Sequence, residues 1–486
     1  MPWGFYGRDN ELRDLSAILS RDRWFFAKLT GRRLIGKTTL IQRSIQAAGD
    51  RPVYYVQIPD SGEAGVLSAV GDALVSFRIS AEQFSRPRTL ADFAKLINGL
   101  ARAGYVVVLD EFQYFNRKVL FPFCSFLQAE VDELSAAADQ FRGGLIVLGS
   151  IHTEMDALLE NRSAPLYNRT TDEINLSHLD ISSVLEILRE HADPDPERLL
   201  FLWTLFEGVP KFFRDCYEQG VLHADRRNIL RKMFFESSSP LRTEADNWFL
   251  RELHGRYDVV LKFVARHGGS QHNELVSHIQ EISGESSEQV SGYLKILIER
   301  YGLIERKLPI FAPPRARKTR YYLTDNFLKA WLAALASPVA ALNFRAIDEL
   351  VADADRNLSG VEGTGLEKLV GHLYEERSRK RISDFHLTRR IQGYWDRGGT
   401  EIDLIAIDED SAVIRFGSCK RAADNLVADV RVFDGHIERF LNAFPVYREW
   451  KIERASIAPT ITPDVRRELE AAGRFAQDLN DLTAGL

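Results

Sequence analysis

Residues 24 to 48 join three patterns without a break: an apolar run from Trp24 to Leu29, the turn GRRLIGKT, and the helical pattern TTLIQRSIQAA. Strand, glycine-bounded loop and helix in that order are the context that gives Gly31-x4-Gly36-Lys37-Thr38 its chemical meaning. Gly31 and Gly36 permit the backbone angles that turn successive N–H groups inward around anionic oxygens. The loop backbone of Arg32, Arg33, Leu34 and Ile35, continued by Thr39, forms the cradle, and the new helix points its positive end at the same place. Lys37 adds a mobile charge for β- and γ-phosphates, and Thr38 offers a hydroxyl to Mg2+. The expected ligand is ATP with Mg2+, on a parallel α/β sheet.

Such a site needs an acid from a second element. The run YVVVLDEFQYF, 105 to 115, has four consecutive apolar residues, Val106 to Leu109, as a strand buried on both faces does. Asp110 and Glu111 follow at its carboxyl end, where ligands bind in such sheets. Asp110 is expected to hold Mg2+ through water, and Glu111 to orient or deprotonate the attacking water. A third strand, GLIVLGSI, ends in Ser150, a candidate sensor of the γ-phosphate or the water. Arg169, in APLYNRTTDEI, is a candidate for stabilising transition-state charge in its own or a neighbouring subunit, so a homo-oligomer is a partner to test.

Composition bounds the rest. With 486 residues, about three domains are expected at ~150 residues each. The net charge of −6 leaves nucleic-acid contact to local patches. The three cysteines, Cys124, Cys216 and Cys419, are too scattered for a disulfide framework or a zinc site and point to a reducing cytoplasm. The start MPWGFYGRDNEL has no apolar core behind a basic segment, and no apolar run reaches the ~18 residues of a membrane span. A cytoplasmic chain without a membrane partner is expected.

GRDNEL, GRRLIGKT, DEFQY, GSI, PLYNR and GVPKFF occur in that order over residues 4 to 213. This series resembles a family of AAA-like or STAND-like P-loop ATPases common in archaea and scattered in bacteria. Asn168 stands where that family has Gly. The resemblance implies ATP hydrolysis, places Arg8 of the opening segment at the nucleotide site, and does not name the task the ATPase drives.

From Asp180 to about Phe235 the pattern is helical, as in a small lid. Three short helical segments between 256 and 299 and the stretch LPIFAPPRARKTRYYLTD then follow the order of a winged helix-turn-helix. Between 300 and 320 there are seven Lys/Arg against Glu305. Arg315, Arg317, Lys318 and Arg320 are the expected DNA-phosphate contacts. The helix from Ser286 to Glu299 is itself not basic, so a protein-packing role competes. RYYLTDNFLKAWLAAL, 320 to 335, also resembles a segment of the ATPase family that precedes its C-terminal domain.

After an expected polar break at 352 to 365 comes a helix bearing Glu367, a strand bearing Asp403, and a second strand ending GSCKR with Lys420. Helix Glu, strand Asp and a following E-x-K resemble a restriction-endonuclease-like fold, in which the acids bind Mg2+ and the Lys polarises water. Here Ser418 stands in place of the second acid. Losing a carboxylate weakens a site for a hard cation, although Glu401 shares the strand face of Asp403. Weak or absent cleavage is expected, and a basic run from Arg377 to Arg390 is a solvated or backbone-binding face.

The expected architecture is a P-loop ATPase core (1–179), a helical lid (180–250), a winged helix (251–325), and a linker helix with an α/β endonuclease-like domain (326–486). The expected function is ATP hydrolysis that drives or switches a DNA-associated activity. The alternatives are a nucleotide-switched signalling or defence scaffold for protein partners, and an active ATP-regulated DNA nuclease.

Overall fold

The computed structural model describes residues 2–49, 51–150, 152–245, 256–316 and 318–486. The chain divides into two compact units, Gly7–His178 and Met1–Tyr6 with Leu179–Leu486.

The first unit is a parallel sheet of β1 (Phe25–Gly31), β2 (Val53–Gln57), β3 (Val106–Asp110), β4 (Gly144–Gly149) and β5 (Asp172–Leu176) in the order β2-β3-β4-β1-β5. β1, β3 and β4 are buried along their whole length, which is why they read as unbroken apolar runs. The exception is Lys28, 1% exposed at its side chain, whose charge is met by Glu160 at 2.6 Å and Glu173 at 2.7 Å. Helices cover the sheet. Leu90–Arg102 starts in a capping box between Thr89 and Asp92, and Phe93, Phe115 and Phe123 stack beside it.

The second unit begins with the expected lid helices, Ile181–His191, Pro196–Phe206, Pro210–Glu218 and Arg226–Leu230. Asp180, Asp195 and Asp225 each cap one of them by accepting from a first-turn N–H, which satisfies a donor the helix cannot. Helices Arg256–Arg266, His272–Ser283 and Ser287–Glu299 lead into an antiparallel hairpin, β6 (Ile304–Lys307) and β7 (Arg320–Leu323). The expected break at 352 to 365 is instead mostly helix: Ile347–Ser359 runs through it, and Glu362–Lys380 starts within it. Leu350, Val351, Ala354 and Leu358 form a buried stripe at helical spacing, and that burial outweighs the polar composition.

A mixed sheet follows: β8 (Gln392–Trp395), β9 (Glu401–Asp408), β10 (Val413–Cys419), β11 (Lys451–Ile457) and β12 (Phe475–Gln477), in the order β12-β11-β10-β9-β8. β8, β9 and β10 pair antiparallel, while β10, β11 and β12 are parallel. Helix Asp424–Ala443 lies between β10 and β11 in sequence and supplies the crossover a parallel pair requires. Buried Glu362 binds Arg226 at 2.5 Å and Arg421 at 2.8 Å, tying a lid helix to this domain. Among the described residues, no helix is long and apolar enough to cross a membrane.

Candidate nucleotide site and candidate carboxylate site

The loop after β1 has the geometry its glycines anticipate. Gly31, Leu34 and Gly36 have positive φ, 153°, 66° and 97°. A Cβ on Gly31 would lie 2.7 Å from the Leu176 carbonyl, so only glycine passes here. Lys37 folds back on the loop, donating to the carbonyls of Gly31 at 2.8 Å and Arg32 at 3.1 Å. Burial lowers its pKa to about 8. Arg33 and Thr39 are exposed at the loop and the helix start.

Thr38 Oγ1 donates to Asp110 Oδ2 at 2.9 Å, joining the start of the loop's helix to the end of β3. Two hard oxygens at this distance suit Mg2+. Tyr55, on β2, donates to the same carboxylate oxygen at 2.8 Å. Asp110 Oδ1 accepts from the Glu111 N–H at 2.8 Å.

Glu111 itself is left-handed, φ 57°, a conformation a non-glycine residue holds only when its surroundings impose it. Those surroundings are Ser150, whose hydroxyl donates to Glu111 Oε2 at 3.2 Å, and Gln113, whose amide donates to the same oxygen. Gln113 Oε1 in turn accepts from the Ser150 N–H at 3.3 Å. Arg8 reaches the loop: its guanidinium donates to the carbonyls of Ile35 at 3.4 Å and Ser177 at 2.6 Å. Arg169 is engaged elsewhere, by both oxygens of Asp132 at 2.7 and 3.0 Å.

The C-terminal candidates converge in part. Asp403 accepts from the Cys419 N–H at 2.8 Å, and the Lys420 ammonium stands 4.0 Å from Asp403 Oδ2. Burial and the Asp403 charge both raise the pKa of Glu367, and burial raises that of Asp403. Ser418 Oγ donates to Asp429 Oδ2 at 2.9 Å, and Lys420 lies 3.6 Å from that oxygen. One ammonium thus sits between two carboxylates. Among the described residues, no three His, Cys, Asp or Glu side chains are grouped to hold a metal ion.

Of the expected DNA contacts, Arg315 is exposed, Lys318 is half-buried, and Arg320 pairs with Glu401 at 2.5 Å. Arg317 lies outside the described residues. Tyr55, Gln113 and Asp429 were not anticipated. Gln113 stands two residues beyond Glu111 in DEFQY, a spacing that could have pointed to it. Tyr55 and Asp429 carry no local signal.

No family model matches the chain. MJECL04, an uncharacterized protein of Methanocaldococcus jannaschii, is 26% identical over 425 residues, 86% of this chain and 87% of that protein. Among solved structures, the Walker-type ATPase paby2304 of Pyrococcus abyssi superposes with a TM-score of 0.51 at 16% identity, over 68% of this chain and 96% of that one. The Gly7–His178 unit has the P-loop NTPase fold. The ORC2 protein of Aeropyrum pernix superposes with a TM-score of 0.45 at 14% identity, over 74% of this chain and 95% of that one.

Proposed function

We propose that this chain binds and hydrolyses ATP in its P-loop unit and uses the cycle to switch a DNA-associated activity of its second unit. The observation that carries the reading is the meeting of Thr38, Asp110 and Tyr55 on one carboxylate oxygen beside the Lys37 loop. The loop N–H groups and Lys37 would hold the phosphates. Thr38 and Asp110 would hold Mg2+, which supplies charge neutralisation at the phosphates when bound. Glu111 would orient the attacking water, and Ser150 couples that carboxylate to the end of β4. The test is ATP turnover with Mg2+. Lys37→Ala should abolish tight ATP binding, whereas Glu111→Gln should keep binding and lose turnover. Turnover by Glu111→Gln at the wild-type rate would remove the assigned base.

In the second unit we read the three helices and hairpin as a winged helix and the mixed sheet as an endonuclease-like domain. Lys420 balanced between Asp403 and Asp429, with a hydroxyl at Ser418, supports weak or absent cleavage. The inward pairing of Arg320 favours a packing role for the hairpin. Plasmid nicking with Mg2+ and with Mn2+ tests this reading. Robust cleavage with Mg2+ that Asp403→Ala removes would make the domain an active nuclease.

A further inference from the structure

The hairpin β6–β7 is built into the mixed-sheet domain at both arms. On the outgoing arm, Ile310 lies in that domain's buried cluster with Ile402, Phe416 and Phe440. Its N–H donates to the Gly393 carbonyl at 2.9 Å. Phe311 stacks on Tyr447, with ring centroids 5.4 Å apart. On the return arm, Trp395 Nε1 donates to the Lys318 carbonyl at 2.8 Å. Arg320 pairs with Glu401 while lying over the Trp395 ring, 4.7 Å from its centroid.

Beneath the hairpin is a cavity of about 580 Å³, within the ~300–1,000 Å³ of small-ligand sites. Its walls carry the cations Arg306, Lys307, Lys329, Lys368 and Arg390, and the aromatic rings of Tyr322 and Trp395. The acids Glu305, Glu375 and Glu401 are each met by a cation, Lys307 at 2.9 Å, Arg390 at 3.5 Å and Arg320 at 2.5 Å. Lys368 is paired with Glu207 at 2.8 Å, and Lys307 also lies over the Tyr322 ring, 5.0 Å from its centroid. Lys329 is held by the Thr364 hydroxyl. Glu367 and Asp403 open onto the same space. Cations interleaved with aromatic rings suit a phosphate joined to a base. A volume of this size suits one nucleotide unit, whereas a duplex-binding face buries about 1,000 Å² of protein surface or more.

We propose that this chamber binds a nucleotide unit, a phosphate with its base, presented by single-stranded nucleic acid or by a free mononucleotide. The proposal rests on the DNA-associated reading of the second unit and names its ligand class. Full-length protein carrying Lys37→Ala, which silences the ATP site, is titrated with a labelled oligothymidylate and with a duplex of equal length. Thymidine monophosphate is the competitor. The single strand is expected to bind at least about tenfold tighter than the duplex, a difference the size of one lost stack or more. Lys329→Gln and Arg390→Ala should each weaken it with thermal unfolding unchanged. Competition by the monophosphate at equal molarity assigns the free nucleotide, and its failure to compete assigns the strand.

Photocrosslinking of a 5-iodouracil strand to protein with an unaltered chamber should label peptides within 305–323 or 390–404, which covers the case of variants that do not fold. Equal or tighter duplex binding, or crosslinks confined to other peptides, overturns the chamber. If no strand, duplex or monophosphate binds at all, the DNA-associated reading fails with it.

Discussion

Ser418→Glu restores the carboxylate that the helix-Glu, strand-Asp, E-x-K pattern lacks, and its cost can be worked from the structure. Ser418 is 3% exposed and donates to Asp429 at 2.9 Å. The substitution removes that bond to a charged acceptor, about 1.5–3 kcal/mol, and adds a negative charge beside Asp429. Lys420, 3.6 Å from Asp429 and 4.0 Å from Asp403, offsets part of it. An uncompensated buried charge costs about 3–5 kcal/mol. A net loss of about 3 kcal/mol is expected without metal. At roughly 1.5 °C per kcal/mol for a unit of this size, Tm in EDTA falls by about 4–5 °C. A divalent ion bridging the introduced carboxylate and Asp403 reverses this: Mn2+ at about 100 times its dissociation constant returns about 2.7 kcal/mol. The assay is thermal unfolding in EDTA and across a Mn2+ series, with wild type and Ser418→Glu/Asp403→Asn alongside. A variant as stable as wild type in EDTA, or one whose loss Mn2+ does not repair, would refute the placement of Ser418 beside Asp429 in the cluster with Lys420 and Asp403.

Gln113→Ala removes one of the two groups holding Glu111. It is expected to lower kcat for ATP about tenfold with KM unchanged, as loss of an interaction that serves only the reacting water does; a raised KM at constant kcat would assign Gln113 to nucleotide binding instead. Lys37 titrates near 8 in the free protein because it is buried, and bound phosphates favour its charged form. ATP affinity should therefore be flat below about pH 7 and fall as the pH rises through 8. Calorimetry at pH 9 in buffers of different ionisation enthalpy should show uptake approaching one proton, falling to about a tenth of that at pH 7; proton release at pH 9 would refute the assignment.

The candidate nucleotide site was legible because its parts are local. The loop's angles, the helix start and the charge of Lys37 lie within eight consecutive residues, and the apolar run before Asp110 announces a buried strand by composition alone. The C-terminal acids were legible as a pattern but not as a site. The hydroxyl of Ser418 finds Asp429, eleven positions on, because a crossover helix lays that residue against the strand end. Arg169 follows a turn, and its pairing with Asp132, thirty-seven residues upstream, carries no local signal.

What the sequence determined by itself is therefore whatever follows from backbone conformation and short-range burial: the strand, glycine-bounded loop and helix at residues 25 to 47, the buried strand before Asp110, and the asymmetry between Asp403, Lys420 and Ser418. Tertiary structure alone decided which charges meet. Arg320 reads as one more cation in a basic stretch until β9 brings Glu401 to it. Ile310 and Phe311 read as part of a basic wing until the mixed sheet offers them a core. The reason is physical. An ion pair or an apolar contact depends on distance in space, which chain position does not encode when the partners are eighty or more residues apart.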